Sequence, residues 1–163
     1  MKKTIIFFLC LTLMFSFFTF GTNASDGEAF SPYVIDFNLT SDFTEAPTDE
    51  NNTRATGLIH SYSLYLTKTG STLHITGQTH GSTEVVRSGF KDLVIQRRIS
   101  SDYAWEDYYE YGDMYIDTWF ANLDTTLAVA TNYQYRISCK HYAKKNIFMV
   151  QTVSNVSNIV TSK

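Results

Sequence analysis

Tyr62-Ser-Leu-Tyr-Leu-Thr-Lys-Thr-Gly-Ser-Thr-Leu-His-Ile-Thr-Gly-Gln78 decides the fold class. Tyr62, Leu64 and Leu66 alternate with Ser63, Tyr65 and Thr67. After Lys68-Thr-Gly-Ser71, Leu73, Ile75 and Gly77 alternate with His74, Thr76 and Gln78. A period of two sends the two sets to opposite faces of an extended chain, whereas a helix needs an apolar residue every third or fourth position. The short polar break with its glycine supplies a tight turn, so the stretch predicts an antiparallel hairpin with one buried face.

The same period extends downstream. Gly81 to Gly89 reads as a loop and Phe90 to Arg98 as the next strand. Tyr108–Tyr111 and Tyr115–Phe120 read as two strands paired across Gly112-Asp113. Tyr133, Tyr135, Ile137 and Cys139 alternate with Gln134, Arg136, Ser138 and Lys140. Ile147–Val153 and, after a bend, Val156–Thr161 close the chain. Beyond residue 24 no stretch has the spacing of an amphipathic helix of useful length. About seven short strands over residues 56–163 predict an all-β, antiparallel two-sheet β-sandwich.

The start of the chain reads as an address. Met1-Lys2-Lys3 is a positive n-region, Thr4–Phe20 is an apolar run of 17 residues, and Thr22 and Ala24 are the small residues that a signal peptidase prefers. A run of that length sits at the short limit for a bilayer span. The reading is a helical signal peptide over residues 1–24 cleaved after Ala24, with a secreted or cell-surface product. Membrane contact is then confined to this segment before cleavage. Removing it leaves 139 residues with net charge −5 and Cys139 as the one cysteine. No intramolecular disulfide is then possible, and stability has to come from apolar burial.

Residues 25–53 contain Pro32, Pro47 and seven acidic residues, with no Lys or Arg. One-sign charge without apolar periodicity predicts a disordered, acidic, flexible spacer over residues 25–55, ahead of the sandwich at 56–163. Phe30, Tyr33, Val34, Ile35 and Phe37 hold open two alternatives, docking as an extra strand or serving as a removable pro-segment. From Arg54 to Lys163 the chain holds 11 basic and 9 acidic residues, which leaves no electrostatic footprint for nucleic acid.

Leu127-Ala-Val-Ala-Thr-Asn-Tyr133-Gln-Tyr135-Arg-Ile137 resembles the segment entering strand F of fibronectin type III and immunoglobulin-like domains, and Leu93–Arg98 followed by Trp105 resembles strand C and its turn. The resemblance implies that Tyr133 forms a tyrosine corner, its hydroxyl bonding to backbone just upstream. The whole plan is similar to short secreted proteins of Gram-positive bacteria that remain functionally uncharacterised. The chain departs from the pattern in giving Cys139 no partner and in lacking a Trp on strand B. The resemblance therefore implies a fold and transfers no catalytic residue.

Asp102–Asp117 is the most distinctive chemistry. Tyr103, Trp105, Tyr108, Tyr109 and Tyr111 are interleaved with Glu106, Asp107 and Glu110. Aromatic faces beside carboxylates suit a glycan or a protein contact. They also suit a charged edge hairpin that resists aggregation. If strands C and F are neighbours, Gln96, Arg98, Arg136 and Lys140 share an outer face fit for an anionic cell-wall polymer, an acidic partner or the chain's own acidic spacer. No HExxH, CxxC, Gly-x-Ser-x-Gly or phosphate-loop spacing occurs, so no catalytic residue, metal ligand or cofactor is assigned. Cys139 falls on the apolar side of its strand and reads as an inert thiol. The functional expectation is a non-catalytic extracellular binding module for a wall polymer, glycan or protein. The alternatives are a small secreted hydrolase using carboxylates within 102–117, or a structural cell-envelope component.

Overall fold

A computed structural model describes residues 31–42, 53–54 and 57–163. These contain no helix. Ten strands run in chain order: β1 (Tyr33–Thr40), β2 (Thr53–Arg54), β3 (Ile59–Thr69), β4 (Thr72–Gly81), β5 (Arg87–Arg98), β6 (Glu106–Ile116), β7 (Phe120–Ala128), β8 (Tyr133–Asn146), β9 (Met149–Val156) and β10 (Val160–Ser162). One antiparallel sheet has the order β1-β7-β4-β3-β2. The other has the order β10-β8-β5-β6, with β9 also paired to β8. The hairpin anticipated at Tyr62–Gln78 is β3–β4, turning at Gly70 with φ of 59°.

Alternation dictates which side chains meet between the sheets. Leu64, Leu66, Leu73 and Ile75 from the first sheet face Phe90, Leu93, Ile95, Tyr135 and Ile137 from the second, all buried. Each such side chain contributes about 1.5–3 kcal/mol by leaving water. A smaller cluster of Ile59, Val85 and Ala143 continues the core toward one rim. Asn158 extends the first sheet by imitation. Its side-chain carbonyl accepts from Leu66 N–H at 2.9 Å, and its amide donates to the Leu66 carbonyl at 2.7 Å.

Three expectations need correction. Residues 33–40, read as part of a flexible spacer, form an edge strand paired with β7 from Tyr33↔Ala128 to Thr40↔Asn122. Val34 and Leu39 pack against the core, so these residues do repay their ordering entropy. A bulge between Val34 and Asp36 breaks the alternation and hides the strand from a period-two reading. The added strand is thus what these residues form; Phe30, the signal peptide with its cleavage point and residues 43–52 lie outside the described residues.

The second correction concerns Gly112-Asp113. No hairpin turns there. Glu106 to Ile116 is one strand, and Gly112, at φ of 75°, sits at a bulge opposite Leu93. A glycine at positive φ serves a bulge as readily as a turn. The chain turns instead at 117–119 and crosses to the first sheet as β7. The loop expected over 81–89 likewise shortens to 82–86.

The third is the tyrosine corner. Tyr135, not Tyr133, donates its hydroxyl to the Ala130 carbonyl at 2.8 Å. Tyr135 is fully buried and carries its ring inward, whereas Tyr133 is half-buried at the end of the core. We expect Tyr135→Phe to lower stability by about 1–2 kcal/mol, because the Ala130 carbonyl loses its donor. Tyr133→Phe should change it by less than about 0.5 kcal/mol. Urea midpoints at constant m-value check both, and equal losses would contradict the assignment.

Candidate functional site

The register of β5 against β8 sets Gln96 opposite Arg136 and Arg98 opposite Gln134 on one outer face. Arg98 Nε donates to Gln134 Oε1 and Arg136 Nε to Gln96 Oε1, both at 2.8 Å. Gln96 passes the chain on to Asp107 Oδ1 at 2.8 Å. Trp105, arriving just before β6, lays its ring under both guanidinium groups at 4.3 Å and 4.4 Å from its centre. Burial and the neighbouring Arg98 lower the Arg136 pKa. The ring relieves part of that cost, since its negative face attracts both cations.

The other sequence-selected residues are dispersed. Lys140 lies further along β8, where its ammonium pairs with Asp92 at 2.8 Å and does not join Arg98 and Arg136. Glu106 is held by Arg97 at 2.5 Å, and the Arg97 guanidinium is stacked between Tyr108 and Tyr133 at 4.4 Å and 4.7 Å. Tyr108, Tyr109 and Tyr111 pack against the core. Tyr111 also reaches Phe37 and the Thr125 hydroxyl. Tyr103 and Glu110 stay exposed. Tyr103 lines a recess of about 300 Å3 with Ile99, Ala104, Arg98, Glu106 and Tyr133. The 102–117 stretch therefore spends half of its aromatics on closing the sandwich edge.

Acid chemistry in this stretch is held toward the ionised form where the structure perturbs it. The Asp92 N–H and the Tyr115 hydroxyl bond to Asp113 and hold its carboxyl below the usual range. A general acid would need the opposite shift. Among the described residues, no three His, Cys, Asp or Glu side chains gather closely enough to hold a metal ion.

The opposite rim was not singled out by sequence reasoning. The 57–58 segment, loop 82–86, turn 117–119 and the β8–β9 turn all meet there. They are tied by Ser82 N–H to the Leu58 carbonyl, Gly81 N–H to Trp119 and Val86 N–H to Lys144. The rim carries exposed Val86 and Trp119. It also carries four consecutive exposed apolar residues, Ile147, Phe148, Met149 and Val150, with Phe148 88% exposed. The signal was available: Ile147–Val150 does not alternate, which a half-buried strand should do. In β9 the alternation starts only at Gln151.

Just inside this rim lies His141, fully buried between the sheets. The Thr79 hydroxyl donates to the Gly89 carbonyl at 2.9 Å, so it accepts from His141 Nδ1–H at 2.8 Å. Nε2 then accepts from the Asn155 amide at 3.2 Å, with Cys139 Sγ at 3.9 Å. Both ring nitrogens are satisfied in the neutral form, and burial pushes the His141 pKa down to about 3. The Cys139 thiol is pushed up to about 12, which makes it a packing group and not a nucleophile.

No protein-family model, curated protein or solved structure matches this chain.

His141 yields a pH prediction. The unfolded imidazole, with a pKa near 6.5, takes up a proton as the pH falls, while the folded one stays neutral until about pH 3. The stability it contributes is complete above about pH 6.5 and drains away toward pH 3. Between pH 7 and pH 5 we expect a loss of about 2 kcal/mol from this group. His141→Gln should abolish that share, and urea unfolding of both proteins at the two pH values measures it.

Proposed function

We propose that this chain is a secreted, non-catalytic binding module of the fibronectin type III or immunoglobulin-like kind, which engages its partner through the loop rim at 82–86, 117–119 and 147–150. Secretion is supported by the lysine-led apolar run before Ala24. The fold assignment is supported by strand order. With β3, β4, β5, β7, β8 and β9 taken as A, B, C, E, F and G, one sheet runs A-B-E and the other C-F-G. That division, and a corner tyrosine near the start of F, are features of the immunoglobulin-like plan. The proposed binding loops then correspond to the B–C and F–G connections, which lie at the end where variable domains bind.

The observation that carries the function is the row Ile147-Phe148-Met149-Val150. An apolar side chain as exposed as Phe148 adds almost nothing to folding, and a contiguous apolar patch on a small protein marks a contact surface. A binding role also fits the acids of 102–117. Glu106 and Asp107 are each held by a neighbouring donor, Arg97 and Gln96.

Phe148→Ser tests this reading. The secreted chain is applied to intact cells and to separated wall, membrane and surface-protein fractions, and retention is compared. The variant should unfold within about 2 °C of the parent, because the side chain is mostly in water already. It should lose most of its retention on whichever fraction holds the parent. Retention equal to the parent on every fraction would place the binding surface elsewhere.

A further inference from the structure

The apolar row forms the β8–β9 turn and the start of β9. The last residue pairing β8 with β5 is Lys144, opposite Arg87, so Lys145 to Met149 run beyond that ladder and Val150 pairs back with Lys144. The turn's chemistry is ordered by depth. Ile147, Phe148 and Met149 lead, and Lys144 and Lys145 follow. Asn146 pairs with Met149, so Ile147 and Phe148 form the turn, and at about 3.3 Å per residue Lys145 trails it by about 5–7 Å. A bilayer surface has the same layering, with hydrocarbon reached about 5–10 Å below a phosphate plane.

Two further observations suit a lipid surface. Phe148 and Met149 give both backbone N–H groups to Asn146 Oδ1, at 2.9 Å and 3.0 Å. In water those donors need no protein partner. In an apolar medium an open N–H is costly, so a turn capped from within is suited to leaving water. The second is charge. The rim carries three basic residues, Arg87, Lys144 and Lys145, against two acids, Glu84 and Asp117. Lys144 has no acid within ion-pair distance among the described residues. Lys145 pairs with an exposed Glu84 at 2.8 Å, a surface contact that exchanges readily.

We infer that the β8–β9 tip inserts into an anionic lipid surface, Phe148 entering the acyl boundary while Lys144 and Lys145 meet the phosphates. This rests on the reading that the loop rim is the binding surface. It also revises the expectation that the signal peptide alone touches membrane. Val86 and Trp119, exposed on the same rim, extend the contact at headgroup level. Arg87 is occupied by Asp117 at 2.5 Å and stays in place.

The test is sedimentation of the secreted chain with vesicles of phosphatidylcholine mixed with phosphatidylglycerol, and with phosphatidylcholine alone. The parent should bind the anionic vesicles, and more weakly as salt rises. Phe148→Ser should weaken binding about tenfold or more. Lys144→Gln and Lys145→Gln should each cost about fivefold and reduce the salt dependence. Phe148→Trp should be quenched by brominated acyl chains. The inference is overturned if the parent ignores anionic vesicles, if Phe148→Ser binds as tightly as the parent, or if the tryptophan is unquenched. Failure on vesicles, with retention on wall or protein fractions still sensitive to Phe148→Ser, removes the lipid inference and keeps the binding rim. Insensitivity in both assays removes both.

Discussion

Everything in this fold hangs on β8. It pairs with β5 along one side and with β9 and β10 along the other, and its inward row of Tyr135, Ile137, Cys139, His141 and Ala143 is buried throughout. With Cys139 unpaired, no covalent bond among the described residues backs this pairing up. The two sheets are joined by contact and by a few buried hydrogen bonds, of which the Thr79–His141 bond links β4 directly to β8. An imidazole at that position stabilises the interior only while it is neutral, so the protein carries an acid-sensitive joint between its two sheets.

The same strand organises both surfaces of interest. Its outward residues include Arg136, which joins Arg98 around the Trp105 ring. Its far end runs past the β5 ladder and carries the apolar turn into solvent. The two regions differ in kind. Around Trp105 each cation has a ring, an amide or a carbonyl as partner, and the cluster closes on itself. At the tip the polar backbone is satisfied by Asn146, while the apolar side chains face water without a partner. Unpaid hydrophobic exposure is the stronger indication of where another surface is met.

Legibility in the sequence followed the physics of alternation. The β3–β4 hairpin, the strand at Phe90–Arg98 and the alternating start of β8 were readable because one face of each is buried and the other wet. β1 was obscured by its bulge and by the acids around it, since register and partner, not local composition, decide that Val34 and Leu39 face inward. β6 misled because Gly112 has the same conformational freedom at a bulge as in a turn. β7 escaped notice because Phe120–Ala128 mixes small and polar residues whose inward facing is set by β1 and β4 on either side. For the site, chemical richness at 102–117 outweighed a plainer run at 147–150. A sequence does not show which aromatics are spent on the core, and Tyr108, Tyr109 and Tyr111 are.

Hydrogen exchange of residues 25–163, with and without anionic vesicles, tests the central claim most directly. Backbone protection reports where a surface is covered and needs no mutation. The account predicts slower exchange confined to peptides spanning 82–87, 117–119 and 145–151, with 98–107 unchanged. Slower exchange over 98–107 with the 145–151 turn unaffected would contradict it.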